Sequence, residues 1–420
     1  MKKFLLVFLV LISGCTSPDN TATIIPNTDT ILTIFVENDV VSLDKYRMFY
    51  SVKGINGEDL GFGELLNSDT IELKNLSYTG EKIAVTIFSV SENTINTIRV
   101  RSYLDVSLGK SITLYNNIPF QDSTTSLKIN NFPTDFDEII IARSGHFSPA
   151  NFIFEEPISY QFLEVLPFTC ITTNLSNDKP QYQTLNLESN SDQIIDLNNN
   201  IAMENEHTIT STIESIGNLE YAIRLHGLQD NNLTSFNDYV LYRDFDPKIV
   251  SNKMEVYTPS VFQDFKLILT AKSDNTSYIQ RTVGEIPTTF DFINPQITVN
   301  NSTFENMSIS STGSNVSYIN SLWKWNPIDS NGITWEVISP ASINTDYRIY
   351  EIPDFILQEV DSLRDSEPLS LISVSSVYAD DLEYSQVIDK LFITPFRYGT
   401  PQTTSLFPKT LVKKIDINQL

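Results

Sequence analysis

Three tryptophans, Trp323, Trp325 and Trp335, lie close together in the chain, with Tyr318 and Tyr347 nearby. Residues 323 and 325 are two apart and so share one face of a strand. Trp335 falls on the next strand, across a Ser330-Asn331-Gly332 turn. Exposed, such a row is a platform on which sugar rings stack, with Asn and Asp side chains bonding hydroxyls. Buried, it is an aromatic core, the commoner fate of tryptophan. Trp323, Trp325, Trp335 and Tyr347 are thus the candidate ligand-binding set if they are exposed.

Other reactive residue types are sparse. The three histidines, at 146, 207 and 226, have no second histidine or cysteine at metal-ligand spacing, so no zinc site is expected. His146 lies in a turn beside Ser144, but neighbours in sequence do not make a triad. No G-x-S-x-G elbow, phosphate loop or dinucleotide fingerprint occurs. Acidic groups at Asp135-Phe136-Asp137-Glu138, Asp244-Phe245-Asp246 and Asp380-Asp381-x-Glu383 could offer oxygens to a hard cation, yet none matches a calcium-loop pattern. In a chain this acidic, solvated loop acids are the favoured reading of them. The expectation is a non-enzymatic protein with no cofactor and no bound metal.

The N-terminus carries the most specific pattern. Lys2 and Lys3 precede an apolar run from Phe4 to Ile12, followed by Ser13, Gly14 and Cys15. That run is too short to span a bilayer, which takes about twenty residues, but it suits an export signal. Leu11-Ile12-Ser13-Gly14-Cys15 resembles the lipobox of bacterial lipoproteins. The resemblance implies cleavage after residue 14, a diacylglyceryl group on the Cys15 sulfur and acylation of the new amine. Several acyl chains hold stably where one holds only marginally. Residues 15–28, rich in Ser, Thr, Asn and Asp, read as a flexible tether.

Composition narrows the class. The net charge is −24 and becomes more negative once Lys2 and Lys3 are removed. Such a surface repels phosphate backbones and argues against nucleic acid as a partner. With Cys15 lipidated, Cys170 is the one remaining thiol, so no internal disulfide can form. It sits in Phe168-Thr169-Cys170-Ile171, a strand-like run that makes it a small buried hydrophobe. The chain is 41% hydrophobic and 11% aromatic, enough for apolar cores to supply stability.

Period-two alternation dominates, as in Leu32-x-Ile34-x-Val36, Tyr46-x-Met48-x-Tyr50-x-Val52, Ile83-x-Val85-x-Ile87 and Ile98-x-Val100. This spacing gives antiparallel strands with one buried face. Asn56-Gly57 marks a hairpin whose two central residues should have positive φ. Helix is expected only at Pro353–Leu363 and within 380–391. An apolar-x-apolar strand ending in Asn recurs at Ile112, Ile195, Ile297 and Ile415, at intervals like the ~100 residues of a β-sandwich domain.

The sequence therefore predicts an all-β chain of tandem antiparallel β-sandwich domains, immunoglobulin- or fibronectin-like. The expected units are 29–117, 118–203, 204–301 and 302–420, the last elaborated with one or two short helices. In architecture (lipobox, tether, successive β domains) the chain resembles multi-domain surface lipoproteins, including lipid-anchored glycan-binding proteins that accompany polysaccharide importers. That resemblance implies a binding or adhesion module for a glycan or protein partner, at the cell envelope on the outer membrane or cell surface. The alternative is a structural or assembly lipoprotein in an envelope or appendage complex.

Overall fold

The computed structural model describes residues 30–41, 46–75, 77–91, 98–115, 123–131, 136–143, 146–149, 158–162, 168–175, 179–186, 192–212, 219–228, 238–245, 247, 249–250, 252–313, 315–325, 332–344, 351–360, 369–397, 400–401 and 406–417. Among them strand dominates, and the chain is all-β with large multi-strand sheets.

The largest sheet has twelve strands. In chain order these are β1 (Tyr46–Gly54), β2 (Asp59–Leu65), β3 (Lys82–Ser91), β4 (Ile98–Ser107), β5 (Glu220–Leu228) and β6 (Asp238–Phe245). They continue with β7 (Asp264–Ser273), β8 (Thr276–Gly284), β9 (Tyr318–Trp325), β10 (Ile333–Ser339), β11 (Ser370–Ala379) and β12 (Lys409–Asp416). Across the sheet the order is β6-β5-β7-β8-β12-β11-β9-β10-β4-β3-β1-β2. Every pairing is antiparallel except one: β10 runs parallel to β4, with Ile333 opposite Ile98 and Ile338 opposite Tyr103. Strands from the stretches 29–117, 204–301 and 302–420 thus share a single sheet.

Smaller sheets cover it. Thr30–Val36, Thr70–Lys74 and Lys110–Tyr115, joined by Ile393–Arg397 and Thr400–Pro401, lie over one face at the β1–β4 end. Ile34 and Ile112 meet Met48, Val85 and Ile87 in that core. The three-stranded sheet Gln296–Asn301, Ser308–Thr312 and Ser342–Asn344 covers the opposite face near β9 and β10, together with α1 (Asp354–Glu359). Further along that face, the sheet containing Asn205–Ser211 and Lys253–Thr258 encloses a third core with β5 to β8. In 118–203 two local sheets form a sandwich around Leu127, Ile139, Ile141, Ile171 and Ile195.

This layering explains where alternation understates burial. β3 is buried at every position from Ile83 to Val90, because Val85 and Ile87 enter one core while Ala84 and Phe88 enter the other. In Ile139-Ile140-Ile141-Ala142, residues 139 and 141 face the local sandwich and 140 and 142 face the third core. The recurring apolar-x-apolar strand has two fates. Lys110–Tyr115 and Asp192–Asp196 each pair parallel with the first strand of their own stretch. Gln296–Asn301 instead pairs antiparallel with Ser308–Thr312, and Lys409–Asp416 lies inside the large sheet.

Turns and helices follow their local chemistry. The β1–β2 hairpin forms at Asn56-Gly57, but only Gly57 has positive φ (87°). The four-residue loop and the register shift at Val52/Lys53 relieve Asn56 of that demand. Helix α1 is shorter than its predicted range, and Arg47 pins it by bonding both Glu64 and Glu359 at 2.8–3.0 Å. Helix α2 (Tyr384–Leu391) starts at a capping box of Glu383 and Gln386 and buries Val387, Ile388 and Leu391.

The parallel joint carries an ion pair. Arg101 and Glu336 are directly opposite in register, and Arg101 Nε donates to Glu336 Oε2 at 2.7 Å. Burial alone would lower the Arg101 pKa, but the Glu336 carboxylate outweighs it and holds the guanidinium charged. Removing the carboxylate leaves a buried cation without its partner. Glu336→Gln is expected to cost about 2–3 kcal/mol, below the fully buried case because Glu336 is partly exposed. Urea unfolding measures this; an unchanged midpoint would show that the pair does not hold the joint.

Candidate functional site

Trp323 and Trp335 stand directly opposite each other on β9 and β10. Both are buried, at 0% and 2% exposure. Phe304 meets them edge-on at 5.1 and 4.7 Å, and Phe88 packs against Trp335 at 6.0 Å. Each indole N–H is satisfied inside the protein: Trp323 donates to Ser321 Oγ at 3.0 Å and Trp335 to Ser102 Oγ at 2.9 Å. Of the two sequence readings, these residues take the core one, because their strands are central in the sheet and a second sheet lies over them. Trp325 is half-buried against the same core. Tyr347 lies outside the described residues, as do Cys15 and the tether. Two of the three tryptophans should therefore emit blue-shifted and resist acrylamide in the folded protein. Emission like that of free indole would contradict this placement.

Cys170 is buried in its predicted strand, and burial pushes its thiol up to about 12. Asp380 and Asp381 form a turn with positive φ at both residues. Among the described residues no group of three or more His, Cys, Asp or Glu is placed to hold a metal. No described helix is long and apolar enough to cross a membrane.

The structure gathers polar chemistry somewhere the sequence did not single out. One face of the large sheet is apolar along its length, contributing Trp335, Trp323, Leu267 and Leu225 to cores. The other face is apolar at the β1–β4 end, where Ile338 and Ala379 close the core with Tyr318 packed against it, and again at the paired and buried Val377 and Val412. Beyond that it carries Arg101 (β4), Glu336 (β10), Tyr318 and Asn320 (β9), Thr410 (β12), Arg281 (β8), and Arg224 and His226 (β5). Strand pairing places Arg224 beside Ile268 and Ile268 beside Arg281, with Arg281 opposite Thr410. Burial pushes the Tyr318 phenol up, and the charges of Arg281 and Arg101 oppose that rise.

Several atoms of this band are buried without a hydrogen-bond partner among the described residues: Arg101 Nη1, Asn320 Oδ1, Thr410 Oγ1, Arg281 Nε and His226 Nε2. Each such atom costs about 1–3 kcal/mol unless something bonds it. Arg101, Lys266 and His226 have carboxylate partners in Glu336 and Asp238. Arg281 has no ion pair among the described residues. Burial lowers its pKa, Tyr318 opposes this, and the like charge of Arg224 lowers it further.

At the β5–β6 end, His226 Nδ1 lies 3.0 Å from Asp238 Oδ2, and Lys266 Nζ is 3.5 Å from the same oxygen. Burial pushes His226 below its ordinary value despite Asp238. Burial alone would raise the Asp238 pKa, but His226 and Lys266 hold it at about 2. The pair is thus a neutral imidazole donating from Nδ1 to a carboxylate, which fixes the tautomer and leaves the Nε2 lone pair unused. Such a lone pair can accept a hydrogen bond or a proton from a ligand.

Both depressed pKa values give acid lability. The histidine contributes stability above its unfolded pKa near 6.5 that is lost as pH falls below it, and Asp238 contributes stability lost below 3.8. Thermal melts are expected to drop as pH falls below about 6.5, and His226→Gln should flatten that limb. An identical pH profile in the variant would count against the buried neutral imidazole.

No protein-family model matches the chain, and no curated protein is similar to it.

Proposed function

We propose that this protein is a lipoprotein of the cell envelope, attached through lipid on Cys15, that acts as a non-enzymatic binding or adhesion module for a glycan or protein partner. In this reading residues 15–28 are the tether, and the β-rich units 29–117, 118–203, 204–301 and 302–420 follow. The observation offered for it is the polar side chains on the second face of the large sheet, where Arg281 has no carboxylate and Arg281 Nε and Thr410 Oγ1, opposite in register, have no hydrogen-bond partner among the described residues. Groups left unpaired in the free protein are the ones a ligand can satisfy. Trp323 and Trp335 are buried in the core, so in this reading Arg281 and its strand neighbours are the candidate binding residues.

A second reading, an assembly lipoprotein within an envelope complex, draws on another feature. β2 is an edge strand carrying exposed Phe62, whose ring lies 6.3 Å from that of the exposed Phe355. An edge strand with exposed aromatics can accept a partner's strand.

Two measurements test these readings. Alkyne-palmitate labelling of the full chain should fail in Cys15→Ala, with the protein leaving the membrane fraction; labelling that survives would refute the anchor. Arrays of glycans and envelope proteins should give a saturable ligand lost on Arg281→Gln. Deleting 302–420 is a poor substitute, because it removes β9 to β12 from the middle of the sheet. Co-purification of an envelope protein, abolished by Phe62→Lys and without a small ligand, would favour the assembly reading instead.

A further inference from the structure

We propose that the outer face of the five-stranded sheet at the β1–β4 end lies against a zwitterionic phospholipid surface, with Phe35 and Ile393 entering the headgroup layer. The inference rests on the lipid anchor at Cys15 and adds which side of the protein meets the membrane.

Strand register builds the face. Thr30–Val36 pairs with Thr70–Lys74 on one side and Lys110–Tyr115 on the other, and Ile393–Arg397 continues the sheet. Leu32, Ile34, Ile112 and Leu114 point into the core. The alternate positions therefore point outward. Phe35 is directly beside Thr113, and Thr113 beside Ile393, so the two apolar side chains stand on one row, about 10 Å apart. They are 40% and 58% exposed. Thr33, Ser111 and Tyr115 add hydroxyls on the same side.

Charge sets this face apart. The chain has 52 acidic and 28 basic residues. Yet the charged outward positions of Thr30–Val36, Thr70–Lys74 and Lys110–Tyr115 are Glu72 and Lys74, which pair with each other at 3.0 Å. A surface of hydroxyls with an aromatic and an aliphatic side chain suits the boundary between headgroups and acyl chains. The other exposed aromatic pair, Phe62 and Phe355, shares its strand and helix with Glu64 and Glu359, which Arg47 holds. A net charge of −24 opposes anionic headgroups, so the surface it fits is a zwitterionic one.

Chain length selects lipid as the occupant. Fifteen positions separate Cys15 from Thr30, the first described residue, and even fully extended they span at most about 50 Å. The twelve-stranded sheet is about as wide, at about 4.8 Å between neighbouring strands. The anchor thus holds the β1–β4 end, which this face covers, and leaves the β5–β6 end a sheet's width further off. Tethering makes docking intramolecular, and an effective concentration in the millimolar range lets a small apolar contact be populated.

The full lipidated chain, reconstituted into phosphatidylcholine vesicles, tests this. With Cys15 acylated and Cys170 buried, a single introduced cysteine takes an environment-sensitive fluorophore. Ser111→Cys probes the proposed face, and Gln358→Cys, exposed on α1, probes the opposite side of the large sheet. Expected at position 111 is blue-shifted emission quenched by lipids with nitroxide headgroups, and neither effect at position 358. Phe35→Asp combined with Ile393→Asp should abolish the quenching at 111 while the chain still floats with the vesicles. Both sites are exposed, and thermal melts check folding. A chain that floats but is unquenched at 111, or equally quenched at both positions, would overturn the docked face and leave the anchor standing. Quenching that survives the double substitution in a folded chain would also overturn it. A dimer in detergent that the same substitutions dissociate would assign the face to a second copy instead. A chain that does not float would remove the anchor and this inference together.

Discussion

The parallel pairing of β10 with β4 is the contact on which the rest of the structure depends. It joins a sheet built from the early part of the chain to one built from the late part, and it is the only parallel pairing in a twelve-stranded sheet. Residues more than two hundred positions apart must meet in register, so Ile333 packs by Ile98 and Trp335 by Val100. Two side-chain bonds fix that register from opposite faces. Trp335 donates to Ser102 inside the core, and Arg101 bonds Glu336 on the other face. A slip by one residue would exchange the faces and bury both charges in the apolar core.

Joining the sheets has a consequence for chemistry. A sheet this wide needs cover on at least one face, and the described smaller sheets supply it along the whole apolar side. The second face is covered at one end by the sheet containing Thr30–Val36. Along the same face, arginine, tyrosine, amide and hydroxyl side chains lie among buried Val377 and Val412 on the central strands. Side chains on central strands are held in fixed positions. The His226–Asp238 pair closes the band at its far end with a fixed imidazole tautomer.

Much of the local structure was legible in the residues. Alternation found the strands around Leu32, Met48, Ile83 and Ile98, and Asn56-Gly57 found the hairpin. Proline and acidic residues marked α1, and α2 falls within its expected span. Cys170 was readable as a buried strand residue. The candidate site was not legible in the same way. Arg281, Tyr318 and Arg101 are scattered single residues at outward positions of separate strands, and outward polar residues are what any half-buried strand displays. A faint signal existed: arginines at alternate positions in Ile98-Arg99-Val100-Arg101 and again at Arg224 and Arg281, within a strongly acidic chain.

By itself the sequence determined the strand-dominated class, the two short helices, the hairpin turn and the aromatic run on β9 and β10. These follow from period, turn residues and capping, all of which act over a few positions. Tertiary structure alone decided which strands became neighbours. That choice sent Trp323 and Trp335 into a core instead of onto a platform and put three stretches of the chain into one sheet. It also brought Arg224, Arg281 and Tyr318 into one band. The physical reason is that a strand's pattern says which residues share a face, while its partners are set by cover and register across the whole fold.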